Sequence, residues 1–192
     1  MTNKELEKEL KLLKEKIAKL ELNQKTDKQL TVADIKVGEQ FEYCGRTYTK
    51  LNEDGFCIID DYDEDFMRCI FDPITNNYDE SIIRNYINSD RFIERLGVNK
   101  DDIKPHYKED LITLLSKEEY QEYEDLIQDY DGWWATRSAS SYTSNSFCFI
   151  GNIGSIGNNF VYSSNRARIG FALNLETPVD RKGNNNENKE DC

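Results

Sequence analysis

Gly132-Trp133-Trp134-Ala135-Thr136-Arg137-Ser138 opens the most distinctive part of this chain. From Gly132 to Leu175 there is no Asp, Glu, Lys or Pro, although 32% of the whole chain is charged. The stretch is rich in Ser, Asn, Gly and aromatic residues, and its only charges are Arg137, Arg166 and Arg168. Without carboxylates it is poorly suited to acid–base or hard-metal chemistry, whereas aromatic and amide groups suit recognition. We therefore expect a binding surface here and no catalytic residues.

The composition predicts one folded domain with an appendage. Of the 192 residues, 38% are hydrophobic, and nine Phe, eleven Tyr and two Trp supply a core. The net charge of -12 arises mainly from residues 51–80 and 101–131, and it repels nucleic acid and anionic membranes. No segment approaches the roughly 20 apolar residues of a membrane span, and the charged N-terminus does not resemble a signal peptide. We expect a cytoplasmic protein, unless a larger assembly carries it out, with no nucleic acid partner and no membrane insertion.

The cysteines give no indication of a disulfide framework or a zinc site. They are odd in number and include no Cys-x-x-Cys pair: Cys44, Cys57, Cys69, Cys148 and Cys192. Cys44, Cys57 and Cys148 lie beside aromatic residues, so we expect them to be buried thiols.

A calcium loop is the nearest approach to a metal site in the sequence. Asp61, Asp63 and Asp65 alternate like calcium ligands, and Asp72 stands at the twelfth position. Phe66, however, replaces the glycine that such a loop needs, and Asp72 is shorter than the usual bidentate Glu. We therefore expect a solvated acidic loop, with no metal and no cofactor.

His106 is the only histidine of the chain, and no nucleophile motif lies near it. The sequence therefore predicts a surface histidine.

The N-terminal residues have the spacing of a coiled coil. Apolar residues recur at intervals of four and three, with Lys and Glu between them: Leu6, Leu10, Leu13, Ile17 and Leu20. About two and a half heptads are marginal alone, so we expect residues 1–24 to cluster several copies of the chain, with a trimer favoured. The alternative is an amphipathic helix that packs on its own domain. Residues 25–29 are polar and are predicted to be a linker.

The pattern over residues 30–176 predicts an α+β domain of twisted antiparallel strands and a few helices. Strands are predicted over residues 31–38, 40–51 with a turn at Cys44-Gly45, 55–60, 111–115, 147–150, 153–156, 159–162 and 169–175. Helices are predicted over residues 81–88, 90–96 and 116–127. Asp79 or Ser81 is placed to cap the first helix, and Ser116 with Glu119 forms a capping box on the third. The polar residues 177–192 are predicted to be a disordered tail.

Trp133 and Trp134 are adjacent, so on a strand they point to opposite faces. One is then expected in the core and the other at the surface. For Arg137 two roles stay open: a buried guanidinium held by carbonyls or a carboxylate, and a ligand contact.

Three blocks, taken together, resemble one known family. They are Ser81-Ile82-Ile83-Arg84-Asn85-Tyr86-Ile87-Asn88 with Phe92, then Leu114-Leu115-Ser116-Lys117-Glu118-Glu119-Tyr120, then Trp133-Trp134-Ala135-Thr136-Arg137-Ser138. The combination resembles an uncharacterised bacterial and bacteriophage domain family with a Trp-Trp-Leu-Arg-Ser signature. That family looks like a branch of the C-type-lectin-like superfamily, which includes formylglycine-generating-enzyme-like domains and phage receptor-binding proteins. Ala135 stands here in place of the usual Leu, and Ala167-Arg168-Ile169-Gly170 in place of Val-Arg-Pro-Ala.

The resemblance implies a C-type-lectin-like domain over about residues 30–176. The motif residues would then be mostly scaffold: Arg84, Asn88, Trp133, Trp134, Arg137 and Arg168. The loops between Ser138 and Arg166 would carry recognition, with Tyr142, Asn145, Asn158, Asn159, Tyr162 and Arg166 as the candidate ligand-binding residues. The catalytic cysteine pair of the formylglycine enzymes has no counterpart, because Cys148 is alone in the relevant half.

Three functions are compatible with these observations. The first is a non-enzymatic phage- or prophage-type structural protein whose oligomeric lectin-like heads recognise a surface glycan or protein; it would be virion-associated if phage-encoded. The second is an acidic intracellular inhibitor that mimics nucleic acid. The third, an enzyme of the formylglycine-generating type, would need a second cysteine in the site. We take the first as the expected function.

Overall fold

The computed structural model describes residues 29–60, 68–127, 133–151 and 154–182, together with Leu13, Lys14 and Lys16. The chain divides into two units, residues 1–30 and 31–192. In the first unit Leu13, Lys14 and Lys16 are helical, and Leu13 is 60% exposed. The other four residues of the predicted coiled-coil seam lie outside the described residues, so the coiled coil stays a prediction.

The second unit is a mixed α+β domain whose sheets are mostly antiparallel. Among the described residues it contains twelve strands and three α-helices. The strands are β1 (Gln40–Tyr43), β2 (Arg46–Lys50), β3 (Phe56–Ile59), β4 (Arg68–Ile70), β5 (Ile103–Lys104), β6 (Thr113–Leu114), β7 (Trp134–Ala139), β8 (Ser146–Ile150), β9 (Ile156–Phe160), β10 (Ser164–Ala167), β11 (Ile169–Leu173) and β12 (Asp180–Arg181). The helices are α1 (Ile82–Ile87), α2 (Asp90–Leu96) and α3 (Lys117–Tyr123).

The strands form two sheets. The first has the order β12-β1-β2-β3-β11-β5, with β6 also paired to β11, and all of its pairs are antiparallel. The second has the order β4-β10-β7-β8-β9, in which only the pair β10–β7 is parallel. The first sheet contains the early strands, and the second contains most of the carboxylate-free stretch.

A buried apolar cluster joins the two sheets to α3. Phe56 and Ile58 contribute from β3, Trp134 and Ile150 from β7 and β8, and Tyr120 from α3. The rings of Tyr120 and Trp134 meet edge to face with centroids 5.5 Å apart. The strands β7 and β8, whose connecting loop belongs to the predicted binding surface, are therefore anchored in the core of the domain.

The helix predictions are confirmed in position, with one shorter end. The Ser81 hydroxyl accepts from the Arg84 N–H and caps α1. Ser116 and Glu119 form the predicted capping box on α3, but that helix ends at Tyr123, four residues before the predicted end at 127. Only turns follow, in which the Leu126 and Ile127 N–H groups bond to Tyr123 O.

The strand predicted over residues 31–38 is wrong. Val32–Asp34 is a 3-10 helix, because the Asp34 carboxylate accepts from the N–H and hydroxyl of Thr31 and closes a turn. Val32 and Ile35, three residues apart, are both buried on the inner side of that turn. The fully buried Lys50 holds the turn in place, since its Nζ donates to Val32 O at 3.1 Å and Ile35 O at 2.8 Å.

The predicted disordered tail is wrong for residues 177–182. Thr177 and Val179 are buried, and β12 pairs with β1 through Phe41 opposite Arg181. The Val32 N–H also bonds to Thr177 O at 3.0 Å. The domain thus extends past the predicted boundary at 176, because its C-terminal residues supply a strand that the first sheet needs. Residues 183–192 lie outside the described residues.

The two short strands predicted over residues 153–156 and 159–162 are replaced by the single strand β9. Val161 and Tyr162 form a turn, in which the Ser163 N–H donates to Phe160 O. β9 therefore ends at Phe160, where the chain turns, and Val161 in the turn is fully buried.

Candidate functional site

An open cleft of about 340 Å³ lies where the β7–β8 loop meets the end of β9. We call it the aromatic cleft and define it by its lining residues: Tyr142, Thr143, Ser146, Asn158, Asn159 and Phe160. None of these side chains carries a charge. The cleft therefore offers hydroxyl, amide and aromatic groups to a ligand, and it requires no counter-charge from it.

The loop that forms one wall is held in a fixed conformation. The Asn76 side-chain amide donates to Thr143 O at 3.1 Å and to Ser146 O at 2.9 Å, and it lies 3.5 Å from Ser140 O. Within the loop, the Ser140 N–H donates to Ser146 O at 3.0 Å and the Tyr142 N–H donates to Ser140 Oγ at 3.0 Å. The bonds from Asn76 and the bonds within the loop thus order this wall without a ligand, which lowers the entropic cost of binding.

Two aromatic side chains beside the cleft form a flat exposed surface. The rings of Phe160 and Tyr162 are stacked with centroids 5.3 Å apart and planes 8° apart. Both remain about half exposed, and Tyr142 across the cleft is 82% exposed. Exposed rings of this kind supply contact area at a low cost in side-chain entropy.

The structure brings together most of the candidate ligand-binding residues. Tyr142, Asn158 and Asn159 line the cleft. Asn145 lies in the same loop, where its side-chain oxygen accepts from the Thr143 hydroxyl at 2.7 Å, and Tyr162 lies on the Phe160 ring. Arg166 does not line the cleft: it lies on β10, between β4 and β7.

The two tryptophans divide as predicted. Trp134 is 5% exposed and packs in the core, whereas Trp133 is 52% exposed. Trp133 stacks on Phe149 with centroids 4.5 Å apart and planes 8° apart. The Phe149 ring lies over Gly157 so closely that a Cβ there would be 2.4 Å from Phe149 Cζ. Gly157 therefore lets this second aromatic stack lie flat on β8 and β9.

Arg137 of β7 belongs to a second polar group, which we call the Glu119 cluster (His106, Glu119 and Arg137). Arg137 grips the Glu119 carboxylate with two nitrogens, one at 2.6 Å from Oε1, and its Nη1 also donates to Leu114 O at 2.6 Å. His106 Nε2 lies 3.2 Å from Glu119 Oε1. The imidazole stacks on Phe56 with centroids 3.5 Å apart, so the prediction of a surface histidine is wrong.

The protonation state of Glu119 limits the chemistry of this cluster. Burial alone would raise the pKa of Glu119, but hydrogen bonds from His106 and Arg137 outweigh it and lower the pKa to about 2. The group is therefore a carboxylate near neutral pH and cannot act there as a general acid. No Ser or Cys is bonded to His106 among the described residues, so the cluster reads as a structural ion pair.

Hydrogen bonds join the first block of the resemblance to the segment just before the second block, and the third block to the second. Arg84 binds the Asp110 carboxylate with two nitrogens, at 2.7 and 2.9 Å. Asn88 bonds to both the N–H and the carbonyl of Ile112, just before the second block. Arg137 of the third block holds Glu119 of the second. These contacts answer the open question for Arg137, whose guanidinium is bound to a carboxylate and a carbonyl.

Arg168, just before β11, is also bonded to a backbone carbonyl and a carboxylate, here at the end of β3. Its side chain is almost fully buried, and it donates to Ile59 O at 3.0 Å and to the Asp60 carboxylate at 2.6 Å. Asp60 also accepts from Gln40 at 3.0 Å and from the Thr49 hydroxyl. All the motif arginines thus have partners that position strands or helices.

The predicted acidic loop is only partly visible. Asp61, Asp63 and Asp65 lie outside the described residues. Asp72 is buried, and its carboxylate accepts from the N–H groups of Ile74, Thr75 and Ile82 at 2.9 to 3.1 Å. It shapes the turn before α1. In the part of the chain that the structure describes, no three His, Cys, Asp or Glu residues are grouped to hold a metal ion.

The cysteine predictions are confirmed for two residues. Cys57 and Cys148 are buried, and burial raises the pKa of both thiols. Cys44 is exposed instead, because it occupies the turn between β1 and β2 with a positive φ of 50°.

Sequence reasoning missed four residues that build the cleft: Asn76, Thr143, Ser146 and Phe160. Thr143, Ser146 and Phe160 lie within the carboxylate-free stretch that signalled the site, so the composition had marked their region. Asn76 lies far away in sequence, and its contacts to the loop depend on the tertiary fold alone.

Comparison of the chain with protein-family models, with curated proteins and with solved structures gave no match. Of the helices that the structure describes, none combines the length and the apolar character needed to cross a bilayer.

Proposed function

We propose that this protein is a non-enzymatic binding protein of the phage or prophage type, whose head recognises a surface glycan or protein through the aromatic cleft. The observation that carries the proposal is the cleft itself: an ordered loop and an edge strand present exposed aromatic rings and amides. Recognition surfaces elsewhere use the same residue types, because Tyr gives rigid contact area and Asn and Ser adapt their hydrogen bonds.

The distribution of charge favours this function over nucleic acid mimicry. A mimic needs free carboxylates, spaced like phosphates, on its surface. Several described acids of the two acidic stretches are instead held by basic partners: Asp60 by Arg168, Asp79 by Lys108, Asp110 by Arg84 and Glu119 by Arg137. These ion pairs position the fold and leave less acid for a ligand.

The C-type-lectin-like assignment belongs to the same proposal. It is supported by the bonds from the first block to Asp110 and Ile112, just before the second block, and by the bond from the third block to Glu119 of the second. In this proposal the motif residues hold the fold together, and the residues that recognise the ligand lie in the loops between Ser138 and Arg166. The chain shares no catalytic cysteine pair with the formylglycine enzymes, and Cys148 is buried with its Sγ 3.6 Å from Ala139 O.

Binding can be tested on a panel of bacterial cells with fluorescently labelled full-length protein. Tyr142→Ala combined with Tyr162→Ala should abolish binding while the melting temperature stays unchanged, because both rings are exposed. As the matched control, charge reversal at Asp61, Asp63 and Glu64 should leave binding unchanged, and added salt should have little effect. The proposal is wrong if the charge-reversal variant loses binding and the tyrosine variant keeps it, since that pattern belongs to an acidic mimic.

We propose that residues 1–24 join several heads into an oligomer, with a trimer favoured. Light scattering on the full chain and on a chain that starts at Leu30 measures this directly. The full chain should have about three times the monomer mass, and the shortened chain should be a monomer. Equal monomer masses for both chains would contradict the coiled coil.

A further inference from the structure

The four edges of the two sheets are not protected equally. In the first sheet, the edge strand β12 consists of two charged residues, and the opposite edge is formed by the two-residue strands β5 and β6. In the second sheet, the edge strand β4 is only three residues long. Short length and charge are the usual means by which proteins prevent strand addition at an edge. The fourth edge, β9, has five residues, no charge and no proline.

The outward main-chain groups of β9 can be identified from its two ends. The Gly151 N–H donates to Ser155 O at 2.7 Å, and the Val161 N–H donates to Asn145 O at 3.0 Å. Residues 155 and 161 therefore direct their main-chain groups towards β8. Because direction alternates along a strand, residues 157 and 159 also face β8, and residues 156, 158 and 160 direct their N–H and C=O groups away from it.

Phe160 closes one end of this open edge. Its N–H donates to Asn159 Oδ1 at 2.8 Å, and its carbonyl accepts from the Ser163 N–H at 3.0 Å. Ile156 and Asn158 remain. Within the described residues, β9 has no second neighbouring strand and no hydrogen bond reaches the outward groups of these two residues. They offer two donors and two acceptors in the spacing that an added strand requires.

The side chains beside this edge define the chemistry of the partner. Ile156 and Phe160 are partly exposed and apolar, Asn158 between them is exposed and polar, and all three lie on one face. The adjoining aromatic cleft carries no charge. A partner strand that alternates apolar and small uncharged residues would bury the two apolar side chains and satisfy the amide.

We infer that the outer edge of β9 binds an extended, uncharged segment of a partner polypeptide, which adds to the second sheet as a sixth strand. The inference rests on the proposed binding function and names a polypeptide as the ligand class at that surface. Hydrogen bonds to Ile156 and Asn158 supply affinity, and contacts with Ile156, Phe160 and the cleft supply specificity.

A second copy of this chain fits the edge less well. If two β9 strands paired antiparallel with Asn158 opposite Asn158, Ile156 of one copy would lie opposite Phe160 of the other. The two apolar side chains would match, but the Phe160 N–H that this pairing needs is already bonded to Asn159. If Gly157 instead lay opposite Gly157, the pairing would use only the unbonded main-chain groups of Ile156 and Asn158. It would, however, place the apolar Ile156 side chain opposite the polar Asn158. The net charge of -12 on each copy also opposes close approach.

Short random peptides displayed on phage are a suitable probe, with selection on the full-length protein. The enriched peptides should bind Asn158→Pro about tenfold or more weakly than wild type, because proline removes one outward donor. The proline leaves the ladder to β8 intact, since the Asn158 N–H points away from it. The matched reference is Asn158→Ala, which also lacks the side-chain amide but keeps the N–H, so a further loss of about tenfold from Asn158→Ala to Asn158→Pro measures the outward donor alone.

A scan of single N-methyl groups along an enriched peptide gives a second readout that does not depend on a protein variant. Affinity should fall at every second position, because only alternate N–H groups of an added strand face β9. Peptides that show no such alternation, or that bind Asn158→Pro as tightly as wild type, contradict strand addition.

If no peptide is enriched while neutral oligosaccharides bind through Tyr142 and Tyr162, the polypeptide inference is wrong and the proposed binding function stands. If neither probe binds, both are wrong. Dimers that form through β9 and disappear in Asn158→Pro would show that the occupant is a second copy.

Discussion

The Glu119 cluster contains Arg137 of β7, the aromatic cleft has one wall in the loop that follows β7, and the two use polar residues in different ways. In the cluster, charged groups are paired and largely buried, and each contact of the Arg137 side chain joins two elements: it links β7 to α3 and to β6. In the cleft the polar groups are neutral, and the large side chains face solvent. A buried ion pair tolerates little change once its partner is fixed, whereas neutral surface groups can be exchanged at low cost. Residues of the Glu119 cluster therefore stabilise the fold, whereas residues of the cleft can change with the ligand at little cost in stability.

The largest expected effect divides the adjacent tryptophans. Trp134→Ala should lower the free energy of unfolding by about 3 to 5 kcal/mol, because it opens a cavity beside Tyr120 and Ile150. Trp133→Ala should cost distinctly less, since half of its surface already faces solvent. Denaturant titration of both variants measures the difference. Similar large losses would show that Trp133 belongs to the scaffold and not to the surface.

A smaller effect is expected from the pH dependence of the Glu119 cluster. The pKa of Glu119 is about 2 in the folded protein against an ordinary 4.5, so its contribution is fully present above about pH 4.5 and is lost as the pH falls towards 2. Between about pH 5 and pH 2, wild type should lose about 2 to 3 kcal/mol more stability than Glu119→Gln.

The matched control for this pH measurement is Glu124→Gln, which changes an exposed carboxylate at the end of the same helix. It should keep the full acid sensitivity of wild type. Equal acid sensitivity in Glu119→Gln and wild type would mean that the ion pair does not stabilise the fold.

The smallest effect tests the wall of the cleft. Asn76→Ala removes the donors to Thr143 O and Ser146 O and should cost about 1 kcal/mol. Amide hydrogen exchange at Ser140 and Ser146, whose N–H groups are bonded within the loop, should accelerate more than the global stability predicts. Tyr142→Ala, an exposed change in the same loop, is the control and should leave both rates unchanged. Unchanged exchange in Asn76→Ala would show that the loop orders itself without Asn76.

The features that the sequence predicted well are those set by nearby residues. Ser81 and Ser116 cap their helices because the N–H groups that they accept from lie three residues away. The tryptophans separate because successive strand residues face opposite sides. The location of the cleft followed from composition, since the stretch without carboxylates contains both of its walls.

The features that the sequence did not predict depend on residues far apart. The turn at Val32–Asp34 is bonded to Thr177 and Lys50, and the strand β12 pairs with β1, so both segments depend on partners far away in sequence. His106 is half-buried only because Phe56 and Glu119 surround it. Asn76 acquires its role when the β7–β8 loop folds over it. Local patterns carry no information about such partners.

The strand order of the first sheet also determines when the domain can fold during its synthesis. β11 lies inside that sheet, between β3 on one side and β5 and β6 on the other, although of the strands that the structure describes only β12 is synthesised after it. A nascent chain that stops before Ile169 therefore has the strands β1 to β3, but β3 is paired only with β2 and its other side is open. Such long-range pairing slows folding and leaves strand edges exposed meanwhile. The acidic residues of 51–80, which follow these strands closely in sequence, would then serve a second purpose, as like charges that keep unfinished chains apart.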